Sequence, residues 1–116
     1  MSQRTERVEK LARQVLGESI GELKDPRIGF ATVTRVRISS DLRYARVLVS
    51  VLGDETERTE TLAGLNSAKP VLRAELGRQV RMKYLPELTF ELDQGTETAE
   101  RVERLLLEIE QERKEE

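Results

Sequence analysis

The 116-residue chain contains no cysteine and no histidine. Without cysteine it can form neither disulfides nor thiolate metal sites. Without histidine it lacks the commonest general base and the commonest ligand of transition metals. Catalytic chemistry would have to rely on carboxylates, lysines, tyrosines and hydroxyl groups.

Aromatic residues and long apolar runs are also scarce. The chain has two Phe, two Tyr and no Trp. Its longest aliphatic run, residues 47–52, is interrupted by Ser50, and the first twenty residues carry charges where a signal peptide would be apolar. We therefore expect a soluble, cytoplasmic protein with no membrane segment. At this length it should form a single folded unit.

The charges are unevenly distributed along the chain. Residues 1–83 hold 16 Lys and Arg against 11 Asp and Glu, whereas residues 84–116 hold 4 against 11. The overall net charge of −2 therefore conceals a basic body and an acidic tail. Fifteen of the 20 cations are Arg, whose planar fork suits bidentate contact with phosphate or carboxylate.

The stretch from Thr61 to Lys83 predicts two helical segments joined at a break. Residues at three- or four-residue spacing form an apolar stripe across both segments: Leu62, Leu65, Lys69, Leu72, Leu76 and Val80. Pro70 lacks an amide hydrogen, disfavours the α conformation at Lys69 and suits the start of a new helix. The sequence therefore predicts a kink after Lys69.

The second segment is strongly basic. From residue 69 to residue 83 a single acid, Glu75, is set against five cations: Lys69, Arg73, Arg78, Arg81 and Lys83. An anionic partner would explain this excess. A solvated helix face would explain it equally well from the sequence alone.

Three further elements precede this stretch. Residues 3–23 predict an amphipathic helix with Val8, Leu11, Ala12, Val15, Leu16, Ile20 and Leu23 on its apolar face and Arg4, Arg7, Lys10 and Arg13 largely outside it. Asp25 and Pro26 should end this helix in a turn. Period-two alternation predicts a first strand over 28–38 and a second over 44–52, paired as a hairpin.

In the first strand we expect Phe30 on the inward face, with Thr32, Thr34, Val36 and Ile38. A third strand should place Leu88, Phe90 and Leu92 in alternation. With both Phe residues inward, the pattern argues against a sheet that stacks RNA bases.

The end of the chain predicts one more helix. Thr96 can cap it, and Val102, Leu105, Leu106 and Ile109 form a narrow stripe among many acids. We therefore divide the chain into a folded domain, 1–95, and an acidic C-terminal helix with a frayed tail, 96–116.

The order of helix, two strands, kinked helix pair and strand suggests a KH-type α+β domain, a known RNA-binding scaffold. Three segments strengthen this interpretation: Asp25-Pro26-Arg27, residues 32–50 (TVTRVRISSDLRYARVLVS) and residues 72–93 (LRAELGRQVRMKYLPELTFELD). In this order, the motifs DPR, S-x-D-L and P-E-L-x-F-x-x-D resemble those of the ribosome-binding factor A family over residues 4–109.

The resemblance implies a type II KH-like fold: a three-stranded sheet packed against an N-terminal helix and a kinked helix pair, followed by a C-terminal helix. It also implies binding to the immature 30S subunit through 16S ribosomal RNA and help in late maturation, including 5′ end processing, with a role in cold adaptation. The family's Ala-x-Gly kink reads Ala68-Lys69-Pro70 in this chain.

On this basis the expected RNA-binding residues are Arg4, Arg7, Lys69, Arg73, Arg78, Arg81 and Lys83. The expected protein is a monomer and not an enzyme, with no catalytic residue, cofactor or metal. Ribosome-assembly GTPases are candidate further partners.

Two alternatives remain open from the residues. The acidic final helix could dock a basic protein partner in a module that does not bind RNA. Glu91 and Asp93, two apart on the third strand, could be part of a carboxylate metal site in an RNA hydrolase, although no third ligand is evident. Arg27 could pair with Asp25 or contact RNA.

Overall fold

The computed structural model describes residues 3–93. The predicted final helix and acidic tail, 96–116, lie outside these residues. The described chain forms α1 (Gln3–Glu22), β1 (Ala31–Ile38), β2 (Tyr44–Val51), α2 (Glu55–Ser67), α3 (Lys69–Gln79) and β3 (Glu87–Leu92). The predicted α+β architecture and order of elements are confirmed.

The three strands form one sheet in the order β1-β2-β3. β1 and β2 pair antiparallel as the predicted hairpin. β3 pairs with β2 in parallel, with Val47 opposite Phe90. A parallel neighbour requires a crossover connection, and α2 and α3 supply it.

The core lies between one face of this sheet and the helices. Along β2 every second residue is buried, as predicted: Ala45, Val47, Val49 and Val51. These side chains meet buried residues of the three helices, including Leu16, Leu65, Leu72 and Leu76. The outward-facing residues of β2 are exposed or half-buried, so the other face of the sheet is open.

A β-bulge changes the faces expected for β1. Val33 lies opposite Val49, and Arg35 lies opposite Leu48, so Thr34 is the extra residue. Val33 and Val36 are therefore both buried, although they are three apart.

The prediction that Phe30 faces inward is wrong, because its side chain is 82% exposed. Thr32 is exposed too, whereas Phe90, Val36 and Ile38 are buried as expected. A strict period-two pattern cannot continue through a bulge, so the residues that precede the bulge lie on the face opposite to the one expected.

Helix α1 has nearly the predicted bounds. Ala12, Val15, Leu16 and Ile20 are buried, but Leu11 is 49% exposed, so its inclusion in the core face is wrong. Thr5 and Ser19 are buried in that face instead. In the described part of the chain, no helix combines the length and the apolar character needed to cross a membrane.

The helix pair begins with the predicted capping box. The Asp54 carboxylate accepts from the Glu57 amide at 2.8 Å, and the Glu57 carboxylate accepts from the Asp54 amide at 3.4 Å. The break comes at Ala68, not after Lys69, because Lys69 and Pro70 are the first two residues of α3.

Ala68 has φ −89° and ψ 1°, and Leu42 is the only described non-glycine residue with a positive φ, so the kink at residues 68–70 needs no positive φ. Helix α3 ends at Gln79, which leaves Arg81 and Lys83 in the connector to β3. The expectation that both lie on the second helical segment is therefore wrong.

Candidate nucleic-acid interface

Three of the predicted RNA-binding cations lie together at the C-terminal end of α3. Arg78 is in the last turn of the helix, where a cation is favoured by the helix dipole, and Arg81 and Lys83 follow in the exposed connector. The Lys83 ammonium lies 5.6 Å from the centroid of the Tyr84 ring, within range of a cation–π contact. We name Arg78, Arg81 and Lys83 the α3-end cluster.

Arg78 is paired but remains accessible. Its guanidinium donates to the Glu75 carboxylate, yet 69% of its side chain is exposed. Hydrogen bonds from Gln79 and Arg78 lower the pKa of Glu75, so this carboxylate stays ionised. A surface pair of this kind is weak, and a phosphate can compete for the guanidinium.

Lys69 lies at the other end of the helix. It is the first residue of α3, nine residues before Arg78, which places the two about 14 Å apart along the axis. It is half-buried. Since nine residues are about two and a half turns, the two side chains also leave opposite sides of α3, and a ligand that contacts both must wrap around the helix.

Arg73 anchors the connector that follows α3. Its Nε donates to the Pro86 carbonyl at 3.0 Å, and its Nη2 donates to the Leu85 carbonyl at 3.1 Å. These bonds place the start of β3 against the helix. Sequence reasoning missed this role, because the pairing of Arg73 with the connector arises only in the folded chain.

Arg4 and Arg7 are exposed on α1. Neither side chain forms a hydrogen bond or ion pair with the described residues 3–93. The structure thus distributes the seven predicted cations over three places: α1, the body of α3 and its C-terminal end. Their contacts with RNA stay predictions.

The Asp25-Pro26-Arg27 motif forms the predicted turn after α1. The Ile28 amide donates to the Asp25 carbonyl at 3.0 Å, and Arg27 pairs with Asp25, its Nη2 donating to Oδ2 at 2.6 Å. These hydrogen bonds from Arg27 lower the pKa of Asp25. The motif is therefore organised internally, and Arg27 pairs with Asp25. Contact of Arg27 with RNA stays a prediction.

The two carboxylates considered for a metal site have protein partners. Glu91 accepts from Arg46 at 2.6 Å, and Asp93 accepts from the Thr34 hydroxyl at 2.5 Å. Among residues 3–93 no group of three or more carboxylates could hold a metal ion.

Sequence reasoning did not consider a second basic area on the open face of the sheet. A depression of about 710 Å³ is lined there by Arg35, Arg37, Ile38, Ser39, Tyr44, Arg46 and Leu48. The available signal was three arginines and a tyrosine at outward positions of one hairpin. It was missed because outward charges on a strand usually indicate only solvent exposure.

A three-stranded sheet covered on one face by α1 and a kinked helix pair, with basic surfaces beside it, defines a KH-like α+β domain. A family model described as ribosome-binding factor A matches residues 4–106 of the chain. The chain therefore belongs to the ribosome-binding factor A family.

Solved structures agree with this assignment. The crystal structure of ribosome-binding factor A from Thermus thermophilus is 35% identical, with a TM-score of 0.69, and the match covers 76% of this chain and 94% of that one. A solution NMR structure of a candidate ribosome binding factor A from Thermotoga maritima is 38% identical, with a TM-score of 0.73 and coverages of 84% and 93%.

A third related structure is a homology model of the Thermus thermophilus factor fitted into a cryo-electron microscopy map of a 30S–RbfA complex. It is 35% identical, has a TM-score of 0.65, and is matched over 77% of this chain and 94% of that one. These neighbours have the KH-like fold, and the predicted fold class and family are confirmed.

Proposed function

We propose that this chain binds the free or immature 30S ribosomal subunit through 16S ribosomal RNA and assists its late maturation. The observation that carries the proposal is the family match over residues 4–106, together with a related factor that has been fitted into a 30S complex. The function is binding in the cytoplasm without catalysis. It includes support for processing the 5′ end of 16S RNA, most strongly in the cold.

The α3-end cluster is the part of the predicted surface best suited to phosphate contact. Its three cations are exposed and close together along the chain, and only Arg78 has an acidic partner among the described residues. Lys69 adds a half-buried cation at the other end of α3, and Arg4 and Arg7 add exposed charge on α1. Contacts of this kind supply affinity and orientation without reading bases.

Co-sedimentation of the purified protein with 30S subunits, 50S subunits and intact ribosomes tests the proposal. We expect binding to 30S subunits alone. If the three cations of the α3-end cluster neutralise three phosphates, affinity should fall on the order of 20- to 40-fold between 50 and 200 mM salt. Equal binding to all three particles, or to none, would contradict the proposal.

A charge-reversal pair tests the surface. Arg81→Glu should weaken 30S binding at least tenfold. Arg58→Glu is the matched control, because Arg58 is also exposed but lies on α2 among Glu55, Glu57 and Glu60. Equal losses in the two variants would remove the α3-end cluster from the proposal.

The maturation step has its own measurement. Cells depleted of the protein should accumulate 16S RNA with an extended 5′ end, detected by primer extension, and more strongly at low temperature. Normal 5′ ends at both temperatures would refute this part of the proposal. We also propose that the protein acts as a monomer, which sedimentation equilibrium can check, and that ribosome-assembly GTPases work on the same particles.

A further inference from the structure

We propose that the open face of the sheet is a second RNA-binding surface, which takes single-stranded RNA through phosphate contacts to Arg35, Arg37 and Arg46 and stacks a base on Tyr44. The choice of RNA as the polyanion rests on the function proposed above. The surface itself is separate from α3, since the helices cover the opposite face of the sheet.

Three successive cross-strand pairs build this surface. Arg35 lies opposite Leu48, and Arg37 lies opposite Arg46. At the end of the hairpin the Tyr44 amide donates to the Ser39 hydroxyl at 3.1 Å. Arg35 and Arg37 are two residues apart on one face, or about 7 Å. That spacing is close to the separation of successive phosphates in a nucleic-acid strand.

The β-bulge at Thr34 lets both halves of β1 contribute to the core while these arginines stay on the open face. Val33 and Val36 both face the core, and Arg35 and Arg37 are left on the open face. Bulges commonly redirect side chains beside functional sites. Here the register that follows the bulge sets Arg37 directly opposite Arg46 on the neighbouring strand.

The charges on this face are not balanced locally. Arg37 is directly opposite Arg46, an arrangement that destabilises a sheet unless an anion lies between the two cations. Arg46 also donates to Glu91, but Arg35 and Arg37 have no acidic or hydrogen-bonding side-chain partner among residues 3–93. A bound phosphate would supply the missing negative charge.

Two exposed aromatic rings lie near the ends of the same hairpin. Tyr44 is 58% exposed and lines the depression. The Leu52 amide donates to the Phe30 carbonyl at 3.0 Å, which places the exposed Phe30 at the other end, about 26 Å along β2. Aromatic rings with arginines between them are typical of surfaces that bind single strands, because any base can stack on them.

The positive charge also continues over the edge of the sheet. A smaller depression of about 270 Å³ shares Arg35 with the first and is lined on α1 by Lys10 and Arg13. Glu9 lies there as well, but its carboxylate accepts from the Ile38 amide at 2.9 Å. On the same open face, along the other edge of the sheet, β3 presents Glu87 beside Tyr44 and Glu91 beside Leu48. The favourable path for a polyanion therefore follows β1 and the side of β2 that faces β1.

A single strand fits this path better than a duplex or an acidic peptide. Base stacking on Tyr44 requires an unpaired base, which a duplex does not offer. An acidic peptide would neutralise the arginines but would leave the exposed rings without a matching planar partner.

The first test uses the tyrosines as reporters, because the chain has no Trp and only two Tyr. In a Tyr84→Phe variant of the full chain, Tyr44 is the sole tyrosine fluorophore. A ten-nucleotide single-stranded RNA should quench its emission at saturation. In the matched Tyr44→Phe variant, which retains a ring for stacking, the remaining Tyr84 lies beside Lys83 of the α3-end cluster, and its emission should be quenched less at the same RNA concentration. Equal quenching in both variants would overturn the proposal.

The second test measures affinity by fluorescence anisotropy with the same RNA carrying a label. Arg35→Gln with Arg37→Gln should weaken binding at least tenfold and make the slope of log K against log salt shallower by about 1.4, as expected for two lost phosphate contacts. Lys24→Gln with Arg58→Gln, which removes equal charge from exposed positions outside both proposed surfaces, should change oligonucleotide binding less than threefold. Equal losses in the two pairs would overturn the proposal.

Competition identifies the class of ligand. Unlabelled single-stranded RNA should displace the probe at least tenfold more effectively than the same RNA in a duplex or a ten-residue polyglutamate. If polyglutamate competes equally well, the face is an acceptor for acidic peptides, and the proposal is wrong. None of these measurements uses ribosomal subunits, so their failure would leave the 30S proposal to be judged by its own co-sedimentation test.

Discussion

Arg73 was predicted to contact RNA, but its hydrogen bonds in the structure give it a role in stabilising the fold, and this role can be tested directly. The Arg73→Met change keeps the aliphatic part of the side chain and removes the guanidinium. It thereby breaks the two hydrogen bonds to the carbonyls of Leu85 and Pro86, at 3.1 and 3.0 Å.

The expected loss follows from those two bonds. A hydrogen bond from a charged donor contributes about 1.5–3 kcal/mol when well shielded, and Arg73 is only half-buried, so we assign about 1 kcal/mol to each. Arg73→Met should therefore lower the free energy of unfolding by about 2 kcal/mol. Arg73→Lys should lose about half as much, because a compact ammonium cannot span both carbonyls as the planar fork does.

Urea unfolding followed by circular dichroism measures these values. With a denaturant slope of about 2 kcal/mol per molar, the midpoint for Arg73→Met should fall by roughly 1 M. Arg58→Met is the control. Arg58 is exposed and has no side-chain partner among residues 3–93, so its stability should stay within about 0.5 kcal/mol of the unsubstituted protein. If the two variants are equally stable, Arg73 does not anchor the connector and the reasoning fails.

Three other outcomes are expected. Pro70→Ala restores an amide donor in α3 and should weaken 30S binding on the order of tenfold by straightening the kink, whereas Pro70→Gly should bind normally. If binding titrations give both variants the affinity of the unsubstituted protein, packing alone sets the kink. Gly64→Ala should destabilise the fold by about 1 kcal/mol, because the added Cβ would lie 2.7 Å from Ile28 Cγ1, whereas Gly17→Ala has open space around it and should stabilise the fold by about 0.5–1 kcal/mol. Thermal melts in which Gly64→Ala is the more stable variant would contradict this. Since the pKa of Asp25 is lowered in the fold, the ionised carboxylate should stabilise the fold above about pH 4, and this effect should be lost as pH falls through the lowered pKa. The free energies of unfolding of Asp25→Asn and of the unsubstituted protein should therefore become equal in acid.

The sequence by itself determined the elements whose patterns are local. Period-two spacing in β2 predicted which residues are buried, and the Asp54 and Glu57 pair predicted the start of α2, since both patterns depend on neighbours a few residues away. The quoted motifs identified the family and its KH-like fold. The excess of cations between residues 69 and 83 is a property of composition and needed no coordinates to be recognised.

Only the tertiary structure decided the features that depend on distant contacts. The bulge at Thr34 exists because Val33 and Val36 must both reach the core, and it exposes Phe30 against the prediction from strict alternation. Arg73 finds its carbonyl partners twelve and thirteen residues further along the chain, on a connector that folds back on α3. The open-face arginines become one surface only when β1 pairs with β2, because register between strands is set by core packing across the whole sheet.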